Sequence, residues 1–262
     1  MYAVSLRPIM PGMAEPPRFF CPALTDDRVD LSSEEAHHAR TVLRLRAGDE
    51  VLVFDGQGTE ALARLDQVSR ERVSLTLGER VRVPYEHPIR LTLAVAMPRA
   101  QRQHVLFEKC SEIGVEAVWP VEYERSVVRP GSGTQAKGQR TALEAAKQAR
   151  RAWVPSVEKS QSFAATLGRA GSFDRAAVLT PVPEAVPLVR LLASGRAGER
   201  LLVWIGPEGG LTAEELASAR QAGAQMASLG PTILRIETAA IVTASLAAAT
   251  GWGDLRGRTS ES

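Results

Sequence analysis

The sequence predicts an α/β chain in two parts: a small β-rich domain, expected to form a barrel, over residues 18–83, and a larger domain over 91–255 built on a parallel sheet covered on both faces. Three observations predict it. Short alternating strands surround the hairpin dipeptide Asp55-Gly56 in the first part. In the second, apolar strand-like runs alternate with segments of helical spacing, the pattern of a parallel α/β sheet. Residues 84–90, which hold Pro84 and Pro88, read as the linker between them. A chain of 262 residues, 44% of them hydrophobic, buries a core of this size without disulfide staples.

In chain order, residues 1–17 carry Pro8, Pro11, Pro16 and Pro17 and are expected to be a loose extension. Arg18-Phe19-Phe20 reads as the first strand. Ser32, three residues before Glu35, predicts a capping box opening a short helix over 34–46, which a turn at Ala47-Gly48-Asp49 follows. Strands are predicted at 50–54, 59–65 and 73–77. Beyond the linker, 91–97 is a buried-type strand. Val105, Leu106, Cys110 and Ile113 then recur at helical spacing over 101–113, and Gly114 stops that helix. A strand at 117–121, a loop at Gly131-Ser132-Gly133 and a helix over 137–152 follow. Strands at 175–179, 201–205 and 225–229, with helices over 212–222 and 237–249, complete the alternation, and 256–262 is a tail.

Composition excludes several classes. An aromatic fraction of 5% argues against an exposed-ring platform as the main nucleic-acid surface. The net charge of +2 is no polycation, yet most of the 32 basic residues are arginine, the better partner for phosphate. Cys21 and Cys110 lie far apart with no C-x-x-C, which excludes a disulfide framework and a thiolate zinc site and suits a reducing cytosol. No signal-peptide pattern opens the chain, and the apolar tract 238–250 is too short for a membrane span, so a cytoplasmic protein is expected. Adjacent His37 and His38 point apart on a helix, and no metal is expected. Gly56-Gln57-Gly58-Thr59-Glu60-Ala61 matches a dinucleotide fingerprint formally, but a return strand rather than a helix follows it, so it reads as a turn.

Two later segments are more specific. Leu201 to Ile205 forms a buried strand that runs into Gly206-Pro207-Glu208-Gly209-Gly210-Leu211-Thr212, with Thr212 and Glu215 spaced to cap the next helix. Paired glycines let a ligand approach backbone N–H groups closely, and parallel sheets bind ligands at such strand ends. A second strand end reads Leu229-Gly230-Pro231-Thr232-Ile233-Leu234-Arg235-Ile236-Glu237 and opens a helix whose dipole favours an anion in its first turn.

Together these two loops resemble the signature loops of the bacterial 16S ribosomal RNA uracil-N3 methyltransferases of the SPOUT (α/β-knot) superfamily. Further blocks agree: Arg18-Phe19-Phe20, His38-Ala39-Arg40-Thr41-Val42-Leu43-Arg44, Phe54-Asp55-Gly56, Glu108 to Val115, and Glu124-Arg125-Ser126. The resemblance spans residues 18–255. The chain departs from it in three places. Lys147-Gln148-Ala149-Arg150-Arg151 stands where the family has Glu-Gln-Cys/Ser-Gly-Arg. Ile236 replaces a threonine, and Pro98-Arg99-Ala100-Gln101-Arg102 replaces a Lys-Gly-Asp-type segment.

The resemblance implies a PUA-like β-barrel RNA-binding domain followed by a SPOUT domain with a C-terminal trefoil knot, a topology no periodicity reveals. It implies S-adenosylmethionine held by Leu179, Ile205, Gly206, Pro207, Glu208, Gly209, Gly210, Leu229, Gly230, Ile233 and Leu234, and a homodimer with the alanine-rich last helix at its interface. The acceptor N3 carries a proton and reacts only after losing it, and a cation near the uracil oxygens would stabilise the resulting anion. Arg235 is the first candidate and Arg18 the second. Glu208 and Glu237 are possible bases, with capping and loop bracing as competing roles. Ribosomal RNA in the small subunit is the expected partner, held by Arg40, Arg44 and Arg46 in one patch and by Lys137, Arg140, Lys147, Arg150 and Arg151 in another. Two rivals remain: a SPOUT methyltransferase acting on another RNA nucleotide, and a non-catalytic RNA-binding ribosome-assembly factor.

Overall fold

The computed structural model describes residues 16–250; the expectations for residues 1–15 and 256–262 lie outside that range. The chain divides into two compact units. Among the described residues, one comprises 16–85 with 146–154, the other 86–145 with 155–250.

The smaller unit is a five-stranded sheet in the order β1-β3-β4-β5-β2. β1 (Arg18–Phe20) lies parallel to β3 (Glu50–Phe54). The hairpin foreseen at Asp55-Gly56 joins β3 to β4 (Thr59–Val68). Asp55 Oδ1 accepts from the Gln57 and Thr59 N–H groups at 2.7 and 2.9 Å, which closes the turn. β5 (Val73–Arg82) pairs with β4, and β2 (Arg28–Asp30) with β5. Register shifts between Ala61 and Ala63 and between Leu65 and Gln67 bend the long pair, as bulges do. Phe19, Val51, Val53, Leu65 and Leu75 fill the concave side and are buried.

Helix α1 (Ser33–His37) has Ser32 as its N-cap, accepting from the Glu35 N–H at 3.3 Å. Only half of the expected capping box forms. The Glu35 carboxylate turns inward, accepts from Lys147 Nζ at 2.8 Å and lies 3.4 Å from the Phe20 N–H. The helix predicted over 34–46 stops at His37 and widens into a π-helical turn, His38–Val42. Arg40 holds that turn by donating to the carbonyls of Ser69 and Arg70 at 3.0 and 3.1 Å.

In the larger unit β6 (Ile89–Ala96), α2 (Ala100–Ile113), β7 (Ala117–Glu122) and α3 (Thr134–Gln148) come first. Gly114 ends α2 at φ +105°, as foreseen. Short elements follow: β8 (Ser156–Val157), β9 (Gln161–Ser162), α4 (Phe163–Leu167), β10 (Arg175–Leu179), β11 (Val186–Pro187) and α5 (Leu188–Ala193). Then come β12 (Glu199–Ile205), α6 (Ala213–Gln221), β13 (Gln225–Ser228) and α7 (Ile236–Ala249). The strands form a parallel sheet in the order β11-β13-β10-β12-β6-β7-β8, with β9 also beside β7. Leu201 to Ile205 and Leu93 to Ala96 are buried without interruption. Because successive side chains point to opposite faces, both faces of these central strands are covered.

Helix α3 ends four residues before the predicted limit at 152, and its closing turn explains the departure at Lys147-Gln148-Ala149-Arg150-Arg151. The Arg151 N–H reaches back to the Ala146 carbonyl at 2.9 Å and the Arg150 N–H to the Lys147 carbonyl at 3.2 Å. This is a Schellman motif, whose penultimate position usually holds glycine. Arg150 occupies that position at φ +58°. The chain then crosses the β3–β4 hairpin of the smaller unit. Gly58 donates to the Ala152 carbonyl at 3.0 Å and Val154 to the Gly56 carbonyl at 2.9 Å. A Cβ on Gly58 would sit 2.4 Å from the Trp153 indole, so only glycine admits the ring.

At Arg150 a left-handed backbone disfavours any residue with a Cβ by about 1 kcal/mol. Arg150→Gly should therefore be more stable than Arg150→Ala by about that amount in urea denaturation; equal midpoints would contradict a strained backbone there.

Candidate functional site

The register of three parallel strands builds the site. On β10, Leu179 lies opposite Ile205 of β12 on one side and Ala227 of β13 on the other. Their carboxyl ends are level, and the segments that follow all leave the same edge of the sheet. The Thr180 N–H donates to the Ala227 carbonyl at 2.9 Å just beyond that edge. The predicted cofactor residues Leu179, Ile205 to Gly210, Leu229, Gly230, Ile233 and Leu234 are thereby gathered at the position where open parallel sheets bind ligands.

The loop after β12 is tightly built. The Gly210 N–H donates to the Pro207 carbonyl at 2.8 Å, and Gly210 takes φ +70°. The capping box foreseen from Thr212 and Glu215 is complete: Thr212 Oγ1 accepts from the Glu215 N–H at 3.2 Å, and Glu215 Oε2 accepts from the Thr212 N–H at 2.9 Å. Two further bonds fix this loop to the end of β7. Glu215 Oε1 accepts from the Glu124 N–H at 2.9 Å, and Arg125 Nη1 donates to the Gly209 carbonyl at 3.0 Å. Sequence reasoning assigned no role to Arg125; its one signal was its place in the Glu124-Arg125-Ser126 block. Pro207 and Ile205 are buried, whereas Glu208 and Gly209 face solvent.

The loop after β13 is more open. Gly230 takes φ +126°, and Ile233 is 88% exposed, an apolar side chain with little packed against it. Leu229 and Leu234 are half-buried beside it. Arg235 is the N-cap of α7 but makes no side-chain cap, and its exposed guanidinium has no ion-pair or hydrogen-bond partner among the described residues. Glu237, two residues on, is buried in the first helical turn and does not pair with Arg235. Its Oε1 lies 3.4 Å from Arg102 Nε, and its buried Oε2 has no hydrogen-bond partner among the described residues. Ile236, where the family has threonine, is buried at the base of α7.

Other expected sites are distributed differently. Arg18 pairs with Glu60, donates to the Arg151 carbonyl at 3.2 Å and stacks over the Phe54 ring at 4.7 Å, all within the smaller unit. Its charge is matched by the buried carboxylate of Glu60. Arg40 serves the π-helical turn, while Arg44 and Arg46 are exposed. Two members of the second basic set are drawn into contacts within the smaller unit. Arg151 is buried, and Lys147 is tied to the buried Glu35; removing one partner of such a pair would strand the other. Exposed positions remain at Arg150 in the smaller unit and at Lys137 and Arg140 in the larger.

Both thiols are buried. Burial, helped by the charge of Glu35, pushes Cys21 up to about 11, and burial alone pushes Cys110 up to about 12, so both stay protonated at neutral pH. Among the described residues no three His, Cys, Asp or Glu side chains converge on a metal position, and no helix is long and apolar enough to cross a membrane.

Known proteins share this arrangement. A family model described as an RNA methyltransferase domain matches residues 85–248, and one described as an RNA methyltransferase PUA domain matches residues 31–78. The chain is 32% identical over 223 residues to ribosomal RNA small subunit methyltransferase E of Bacillus subtilis, covering 82% of this chain and 87% of that protein. Identity to the protein of that name from Mycobacterium bovis is 34% over 218 residues, 81% of this chain and 82% of the other. The crystal structure of ribosomal RNA small subunit methyltransferase E from Neisseria gonorrhoeae bound to S-adenosyl methionine superposes with a TM-score of 0.77 at 29% identity, over 88% of this chain and 96% of that one.

The capping box gives a direct test of how the β12 loop is held. Thr212→Ala should cost about 1 kcal/mol in denaturant unfolding and Thr212→Ser much less; equal losses in the two variants would show that the hydroxyl does not cap the helix.

Proposed function

This chain belongs to the RNA methyltransferase family whose members join a PUA domain to a methyltransferase domain, and on that premise we propose that it methylates N3 of a specific uridine in 16S ribosomal RNA of the small subunit, using S-adenosylmethionine. The observation that carries this reading is the level ending of β13, β10 and β12, which puts two glycine-bearing loops and Leu179 at one edge of the sheet.

The residues there suit the methyl donor. Gly210 and Gly230 have open space where a Cβ would sit and leave room for close approach to the backbone, and Leu229, Ile233 and Leu234 offer apolar surface for a purine ring. The 88% exposure of Ile233 is accounted for when a flat apolar group covers it. Bound S-adenosylmethionine supplies a methyl group already activated on a sulfonium sulfur. What remains for the protein is alignment and the charge of the acceptor. Holding the uracil N3 in line with the methyl group is a proximity effect worth several powers of ten.

Losing the N3 proton leaves an anion spread over N3 and the two ring oxygens. Arg235, at the N-terminus of α7 and without a partner among the described residues, stabilises that anion together with the helix dipole. Glu237 is held against Arg102 with its second oxygen buried, so bracing is the role assigned to it. Glu208 is exposed at the tip of its loop, and the proton leaves to solvent. N3 lies on the Watson–Crick edge, so a paired target base must first be unpaired. Exposed Arg44 and Arg46 in the smaller unit, and Lys137 and Arg140 in the larger, supply cations for the RNA backbone. The same reading takes the protein to be cytoplasmic and a homodimer, with the half-exposed side of α7 in the subunit interface.

The test is methyl transfer to unmodified small subunits, followed by nucleoside analysis. N3-methyluridine is the expected product. Arg235→Ala should bind S-adenosylmethionine within about twofold of the unchanged protein and lose about 100- to 1,000-fold in turnover. Undiminished turnover would remove Arg235 from the mechanism, and a different methylated nucleoside would overturn the assignment of uridine N3.

A further inference from the structure

Residues 36–48 hold three arginines and two histidines and no carboxylate. The backbone there leaves regular helix twice. In the π-helical turn the Leu43 N–H bonds to the His38 carbonyl at 3.1 Å and the Leu45 N–H to the Ala39 carbonyl at 3.0 Å. Arg44 then takes φ +55°, in the left-handed region that a side chain disfavours. Both features are uncommon, and each persists only where the surroundings hold it. Here the fully buried Ala39 pins the turn from inside, and Arg40 ties it to the carbonyls of Ser69 and Arg70.

The resulting knuckle displays an unusual set of side chains. Val42 is 61% exposed and Leu43 38% exposed, and Arg44 and Arg46 are exposed on either side of Leu45. Neither guanidinium has a side-chain partner among the described residues; Arg46 is bonded through its backbone, its N–H donating to Asp49 Oδ2 at 2.7 Å and its carbonyl accepting from the Asp49 N–H at 3.1 Å. An apolar pair next to two unmatched cations is poorly suited to a second copy of the same surface, because the arginines would face each other. It does suit an unpaired polynucleotide, which offers a phosphate for each cation and open base faces for the hydrocarbon side chains.

We propose that the knuckle 42–46 is a docking element for a single-stranded stretch of the substrate RNA, with Val42 and Leu43 packing on exposed base faces and Arg44 and Arg46 on the flanking phosphates. This rests on the RNA-methylating function above and adds to it the element and the RNA form that it selects. The strained backbone has a purpose in this account: it turns consecutive side chains outward that a continued α-helix would distribute around its circumference.

Two variants of the full chain test it. The double change Val42→Ser with Leu43→Ser removes the apolar pair. Arg44→Gly removes one cation, and glycine takes φ +55° without strain, so the backbone is left undisturbed. Affinity for an unpaired RNA oligonucleotide and for a duplex is read by fluorescence anisotropy across a salt series, with melting temperature and S-adenosylmethionine binding as controls. The double variant should lose about tenfold in affinity for unpaired RNA, keep its salt slope and bind duplex unchanged. Arg44→Gly should lose affinity and lower the slope of log K against log salt by about one. Both should bind S-adenosylmethionine as the unchanged protein does, and neither should melt at a lower temperature. Variants that match the unchanged protein on unpaired RNA, or that lose duplex binding equally, would overturn the docking element. Variants that lose binding only to assembled subunits would replace RNA with a protein partner. Failure of the unchanged protein itself to bind S-adenosylmethionine or to methylate subunits would contradict the proposed function instead.

Discussion

The site depends on one constraint, the parallel register that sets Leu179, Ile205 and Ala227 side by side at the ends of adjacent strands. Parallel strands that end level must send their following loops over the same edge. Two of those loops carry the glycines and Arg235, which has no partner among the described residues. A slip of one residue in β12 would turn Ile205 to the other face of the sheet and displace the turn closed by Gly210 and Pro207. The uninterrupted burial of Leu91 to Ala96 in β6 and Leu201 to Ile205 in β12 holds the register, because the side chains of both stretches are packed on either face. The loops can therefore be open and glycine-rich while their roots stay fixed.

Fixing loops by their ends recurs across the larger unit. Thr212 and Glu215 cap α6 while Glu215 also takes the N–H of Glu124, so one carboxylate joins the β12 loop to the end of β7. Arg125 repeats the connection through the Gly209 carbonyl. At the second loop the equivalent brace is Glu237 with Arg102, which joins α7 to α2. Arg235 is left outside these braces. Arg235 has no protein partner among the described residues, whereas Arg18 is matched by Glu60.

Much of this was legible in the sequence because its causes are local. The Asp55-Gly56 hairpin, the Gly114 stop and the Thr212–Glu215 box each depend on residues within a few positions of one another, and each appears where its residues predicted it. What could not be read is non-local or too short for a period. Strands of two or three residues such as β2, β8, β9 and β11 carry no alternation to detect. Glu35 looked like the second half of a capping box, but Lys147, 112 positions later, takes its carboxylate. The basic run from Lys137 to Arg151 looked like one surface because helical spacing was extended past Gln148. A left-handed residue at Arg150 ends that helix and sends Arg151 inward.

The most direct measurement is calorimetric titration of S-adenosylmethionine and its demethylated product into the full chain, beside Gly230→Val. One saturable site per chain is predicted, together with at least tenfold weaker binding to the variant, because a β-branched residue is excluded from the φ of +126° that shapes the second loop. Absence of binding by the unchanged chain, or equal affinity in the variant, would contradict the claim that these level strand ends form the cofactor site.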